Sequence, residues 1–278
     1  MDNVYEKWFA EYTTKMREHI SNASATGAAP FTKLGWNLAD LPAVLDEVDL
    51  KIEHSYLVRD RCKEIARWLK LSDRDVELAA ITGLFHDLGR FRQAVKFGTM
   101  NDVITGSHGE MSADIFLCDA PKDGLGDKEI SIIDSALRYH NVFKLPEKLS
   151  GRALRFTQLA RDADKLDIFR FYTDKTEKRS FRFIAPEGEG AYSSNMLENV
   201  LQGKNLQVSG IQNKNDRKLM QVSLVYDINF GYSFQFVLEK RYLDKITGIY
   251  DGTADFVMQK VHAYAVKWME KRIQQTGD

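Results

Sequence analysis

Apolar residues recur along most of this chain at intervals of three and four, the period of a helix with one buried face. The pattern predicts a first helix over residues 3–22, with Trp8, Phe9, Tyr12 and Met16 on one side. The small-residue stretch SNASATGAAP at 21–30 reads as a loop. Helices are then expected over 40–48, 50–70, 73–88, 107–118, 127–140 and 150–173. In the second of these, Leu57, Val58, Arg61, Cys62, Ile65, Ala66 and Leu69 mark the buried stripe. Ser72 marks the start of the next helix, and Gly89 is placed to close it, because glycine enters the left-handed conformation freely. Ser107 followed by Glu110 reads as a capping box, which puts His108 in the first turn of a helix. Residues 177–190 read as a loop around Pro186. Further helices are expected over 191–202, 213–225, 230–238 and 253–274, the last with Phe256, Val257, Val261, Tyr264, Trp268 and Met269 at helical spacing. A short β-ribbon at 179–184 or 205–211 is the one alternative to helix and loop. The expected fold class is all-α, a helical bundle, which the small number of prolines (5) suits.

Composition narrows the function classes. The 278 residues suffice for one large domain or a domain with an appendage. Formal net charge is −1, so no basic field is available for stable nucleic-acid binding. Cys62 and Cys118 are too few for a disulfide framework, and both read as small core residues in a reducing compartment. The N-terminal residues lack the apolar stretch of a signal peptide, and no window holds the ~18 apolar residues of a membrane span. A soluble, cytoplasmic protein without membrane contact is expected.

The chemistry concentrates in histidines and aspartates. Of six histidines, four (His54, His86, His108 and His140) precede or lie in helices of the first two-thirds. In AAITGLFHDLGRF, a nearly all-apolar helix ends in His86 and Asp87 side by side. Burying both without partners costs several kcal/mol, and a metal ion or a tight ion pair is the usual remedy. Three aspartates compete in RDADKLDIF. Asp164 has Ala160 four residues before it and Ile168 four after, so it lies on an apolar stripe. Asp162 has Gln158 before it and Lys165 after, and is expected to face solvent; Asp167 can pair with Arg170. Asp164 is therefore the carboxylate expected to be buried and in need of a cation. His54, with Leu50, Leu57 and Val58 at helical spacing, points inward, as does His140 with Ala136 and Leu137 behind it. A lone inward histidine is ordinarily a hydrogen-bonded core residue; the joint pattern is what points to a site.

The order His54…His86-Asp87…Asp164, with the runs HDLGRF and ADKLD, resembles the HD superfamily of metal-dependent phosphohydrolases over roughly residues 50–172. The stretch GRFRQAVKFGTMND is similar to an uncharacterised bacterial subgroup. The resemblance implies that these four residues share one metal on a bundle of about five helices. His108 and His140 resemble the extra histidines of members with a second metal, in which Asp87 would bridge two ions. Where many members carry lysine three residues after the HD aspartate, this chain has Arg90, which keeps the charge and adds bidentate phosphate geometry.

Four imidazoles and two carboxylates make a nitrogen–oxygen site that favours one or two divalent transition metal ions: iron, manganese, zinc, nickel or cobalt. The implied reaction is hydrolysis of a phosphate ester or anhydride, with a small phosphorylated substrate, a nucleotide in the first instance, attacked by metal-activated hydroxide. Asp87 and Arg90 are the expected catalytic residues, and Arg90, Arg92, Lys96 and Lys165 the expected substrate contacts. Asp102 lies in a run that can reach the same site. Arg90 and Arg92 read equally as solvated residues past a helix end, and His140 as a helix cap. The basic run Lys175, Lys178, Arg179 and Arg182 reads first as a solvated face. His19 and His262 read as surface or interface residues, and the Trp268 stripe as core or a homodimer face. The same six ligands can also serve a di-iron oxygenase acting on a small polyol or phosphonate, or a non-catalytic nucleotide sensor. The expected layout is N-terminal helices over 1–49, the metal-binding domain over 50–175, and a C-terminal helical extension over 176–278.

Overall fold

The helical stripes become helices almost everywhere the chain is described. The computed structural model describes residues 4–26, 41–177 and 188–276. Among them the elements are α1 (Val4–Thr26), α2 (Leu41–Trp68), α3 (Asp73–Phe85), α4 (Leu88–Phe97), α5 (Asp102–Thr105), α6 (His108–Cys118), α7 (Asp127–Tyr139) and α8 (Gly151–Thr173). These are followed by α9 (Ser194–Leu201), α10 (Lys214–Ser223), α11 (Gly231–Glu239), α12 (Tyr242–Thr247) and α13 (Phe256–Thr276), with 3-10 turns at Val208–Gly210 and Leu224–Asp227. The fold is all-α, with no strand among the described residues. The candidate ribbon at 205–211 is a loop with a 3-10 turn, and the one at 179–184 lies outside the described residues. No described helix is long and apolar enough to cross a membrane.

The described residues form two compact units, one through Arg161 and the other from Asp162. In the first, α2 runs unbroken where two helices, 40–48 and 50–70, were expected. Asp49 does not interrupt it, because its carboxylate points outward to Arg17 at 2.9 Å. The buried face of α2 carries Val44, Val48, Leu50, Lys51, His54, Val58, Cys62 and Ile65, and packs on α1 and α3. Phe9 of α1 meets Phe85 and Phe91 with ring centroids 6.4 and 6.0 Å apart. The first helix also extends to Thr26, beyond the expected 22, since serine and alanine continue a helix without strain.

Glycine closes a different helix from the one expected. α3 stops at Phe85, and His86 and Asp87 form a turn into α4, which was not predicted. Gly98, with φ 66°, ends α4 by donating its N–H to the Ala94 carbonyl. Gly89 is helical; a Cβ there would lie 2.2 Å from the His108 carbonyl oxygen. Its glycine lets α4 approach the first turn of α6, where its N–H donates to Ser112 Oγ at 2.8 Å. Ser107 does cap α6, accepting from the Glu110 N–H. Cys62 is buried, but Cys118, at the last turn of α6, is exposed rather than core.

The second unit holds α9–α13 around Met196, Val200, Leu219, Val222, Phe234, Val261 and Met269. Trp268 packs edge-on to Tyr226 and Phe234, with centroids 5.0 and 5.7 Å away. Asp162 is fully buried there, contrary to its expected solvent position. It accepts from the backbone N–H of Asn229 and Phe230, each at 3.0 Å, and from Asn229 Nδ2 at 2.7 Å. Those donors are the free amides entering α11, which a lysine at i+3 does not reveal. Burial raises this carboxyl to about 6, against the hydrogen bonds from Asn229.

Candidate metal centre

Each ligand is set by the end or the face of a helix. His54 lies mid-way along α2, one turn after Leu50 and one before Val58. His86 and Asp87 occupy the turn that forms because α3 ends and α4 begins at a new angle; Asp87 has φ −106° and ψ 16°. His108 is the first residue of α6, held by the Ser107 cap. His140 is the C-terminal cap of α7. Arg161 steadies that end by donating from Nη1 to the carbonyls of His140 and Val142 at 2.9 and 2.6 Å. Asp164 is on α8. The four histidines and Asp87 are all buried.

The four imidazoles form a continuous row beside Asp87, with ring centroids 5.0 Å apart for His54 and His86, 5.1 Å for His86 and His140, and 4.9 Å for His140 and His108. His54 Nε2 and His86 Nε2 are 3.1 Å apart, as are His108 Nε2 and His140 Nε2. Asp87 Oδ2 lies 3.3 Å from His86 Nε2 and 3.5 Å from His54 Nε2. Its Oδ1 lies 3.3 Å from His108 Nε2 and 3.9 Å from His140 Nε2. One ligand atom each from His86, Asp87 and His140 fall within 4.8 Å of one another.

The ring protons are fixed from behind. His86 Nδ1 is 2.8 Å from the Gly83 carbonyl and His140 Nδ1 is 2.7 Å from the Leu137 carbonyl. A carbonyl can only accept, so each Nδ1 carries the proton and each neutral ring presents its Nε2 lone pair. His108 Nδ1 donates to Asp102 Oδ2 at 2.7 Å, which selects the same tautomer. His108 and His140 then face each other Nε2 to Nε2 across 3.1 Å, an arrangement that a cation between them would satisfy. A proton is disfavoured: burial, then the Arg90 charge, lower the His108 imidazole below its usual range, against Asp102. A divalent ion satisfies both nitrogens, and the buried histidines and carboxylates fit it.

Several charged groups surround the ligands. Lys51 Nζ is 2.6 Å from Asp87 Oδ2. Arg90 Nε is 3.7 Å from Asp87 Oδ1, while its Nη1 bonds the Met100 carbonyl and Asp102 Oδ1. Burial would raise the Asp87 carboxyl, but Lys51, then His86, hold it well below the usual carboxylate range. Asp102 is likewise low, because His108, Arg90 and Gln93 outweigh its burial. Gln93 Nε2 and Asn141 Nδ2 complete the Asp102 shell at 2.9 and 3.3 Å.

The other expected contacts have other partners. Arg92 lies 3.5 Å from Asp119, Lys96 is exposed near the end of α4, and Lys165 pairs with Asp227 at 2.6 Å. Asp167 pairs with Arg170 at 2.5 Å, as expected, and is buried. Asp164, expected to be buried, is half-exposed. His262 bonds Asp244, and His19 is exposed. Lys175 pairs with Asp251, while Lys178, Arg179 and Arg182 lie outside the described residues. Lys51, Gln93, Asn141 and Arg161 were not singled out from the sequence. Only Lys51 left a signal there: a lysine inside the apolar stripe of α2, three residues before His54.

Residues 52–170 match the family model of the HD domain. Over that stretch the chain is similar to the HD domain. All six candidate ligands fall inside the matched stretch, with His54 near its start and Asp164 near its end, while Lys51 lies just before it. HD domains bind divalent metals, and the family consists generally of metal-dependent phosphohydrolases. No curated protein and no solved structure matches the chain.

Proposed function

We propose that this HD domain is a binuclear phosphohydrolase that cleaves a phosphate ester or anhydride of a small molecule, with nucleotides as the first substrate class to test. The observation that carries this reading is the division of Asp87. Oδ2 lies nearest His54 and His86 and Oδ1 nearest His108 and His140, so the carboxylate offers a different oxygen to each pair. His54, His86 and Asp87 Oδ2 would hold a first ion; His108, His140 and Asp87 Oδ1 would hold a second. Ions bound there would supply Lewis acidity and lower the pKa of a water nucleophile. The chain's own residues do the rest. The ring–carbonyl and ring–carboxylate bonds keep the imidazoles of His86, His140 and His108 oriented. Arg90, tied to Asp102 and facing Asp87, keeps a fixed positive charge beside the second position, where anionic phosphate oxygens would be drawn. The four histidines and Asp87 are buried away from bulk water, which strengthens each of these charges.

The test is one sample of the full chain loaded with manganese or iron, assayed for phosphate release from nucleoside mono-, di- and triphosphates and for oxygen uptake. Phosphate release is expected, together with two ions per chain. Asp87→Ala and His86→Ala are expected to lose metal and activity together, and normal metal content in either refutes the centre as drawn. Oxygen uptake without phosphate release would replace hydrolysis by oxygenase chemistry. Tight nucleotide binding without turnover under any metal would make the domain a sensor.

A further inference from the structure

Asp87 Oδ2 has three near neighbours: the His54 and His86 Nε2 atoms at 3.5 and 3.3 Å, and Lys51 Nζ at 2.6 Å. Lys51 is 9% exposed and sits on α2 one turn before His54, so the same helix face carries a metal ligand and a cation. An ammonium so far removed from water needs a charged partner, and Asp87 provides it.

We propose that Lys51 is a built-in counter-ion of Asp87 that stabilises the metal-free chain and holds down metal affinity at the first position. The inference rests on the metal-centre reading and goes beyond it, from which residues bind to how tightly. A fixed positive charge on the same oxygen draws electron density from the ligand and repels the arriving ion, and both effects are strong in a buried site. The second oxygen is treated differently. Arg90 is held on Asp102, Gln93 and the Met100 carbonyl, and its Nε stays 3.7 Å from Oδ1. Its charge is delocalised, whereas that of Lys51 is a compact point charge. The two positions are therefore unequal by construction. The first loads only when the available ion outcompetes an internal cation, so the metal concentration around the chain sets its occupancy.

The experiment titrates manganese(II) into the metal-stripped full chain, reading free ion by its paramagnetic resonance signal, and records thermal unfolding with and without the ion. Lys51→Met, which keeps the length and drops the charge, is expected to bind one of the two ions about tenfold more tightly or better. It is also expected to unfold at lower temperature than wild type when metal-free, and to gain more on loading. Lys51→Arg, which keeps the charge, is expected to bind close to wild type. A side chain with only a packing role would weaken both properties together. Should Lys51→Met not fold without metal, Lys51→Gln is titrated in its place, its amide still able to donate to Oδ2. Equal or weaker manganese binding by the charge-neutral variant overturns the role of Lys51 while the metal centre stands. No uptake by wild type overturns the metal centre and the role of Lys51 with it.

Discussion

Asp102 does for His108 what backbone carbonyls do for His86 and His140, but with a full negative charge. A carboxylate behind a ligating imidazole raises its basicity and locks its ring, and losing such a partner typically costs 10–100-fold in metal affinity. Asp102→Asn is therefore expected to weaken the second position by about that factor and to leave the first unchanged, so that manganese stoichiometry at limiting ion falls from two to one. Gly89→Ala is expected to destabilise the chain by about 1–3 kcal/mol in denaturant titration, because its Cβ meets a helix-end carbonyl that cannot move without moving His108. Helical phase predicted a buried Asp164 and a solvent-facing Asp162, and the structure reverses them: Asp164 is half-exposed, while Asp162 satisfies its charge on amides and is sealed. Asp102 was legible only as a residue in reach, because its value comes from a fold-back of chain between Gly98 and Ser107 that no period encodes.

At the scale of elements, periodicity captured the long helices and also α9, α10 and α11, and missed α4, α5 and α12. α5 and α12 span four and six residues, too brief to show several turns of a stripe, and α4 follows α3 after a turn of two residues. α4 mattered most, since the α3–α4 turn presents His86 and Asp87. One helix start offers a pH test. Glu129 accepts from the Gly126 N–H at the head of α7 and pairs with Arg74 of α3. The Arg74 hydrogen bond, with the Gly126 amide, lowers this carboxyl to about 2 from an ordinary value of 4.5. A folded value below the unfolded one gives stability that is complete above about pH 4.5 and lost as pH falls toward 2. The pair is close to solvent, so its worth is below about 1 kcal/mol. Glu129→Gln is expected to cost that much at pH 7 in urea unfolding, and to converge with wild type as pH approaches 2.

For the whole molecule, the all-α class and the likeness to the HD domain were both readable from one chain, because ligand order survives in sequence even where the helices between are misplaced. The division after Arg161, inside the single helix α8, was not, since it is written in long-range packing rather than in composition. The buried charges make metal removal a global event. At free ion 100-fold above the dissociation constant, each bound ion adds about 2.7 kcal/mol. Chelation is therefore expected to lower the unfolding temperature by several degrees without unfolding the chain at room temperature, read by calorimetry on loaded and stripped samples. An unchanged transition would mean that no ion contributes.

The two cysteines differ in a way that has a practical use. Cys62 is sealed in the core, and Cys118 is open at the far end of the helix that His108 begins. Eleven residues of helix place the thiol roughly 15 Å along the axis from the imidazole. A thiol-reactive nitroxide added to the unaltered chain would attach at a single address. Its spectrum would broaden when a paramagnetic ion settles beside His108, so the native sequence already carries its own gauge for the order in which the two positions fill.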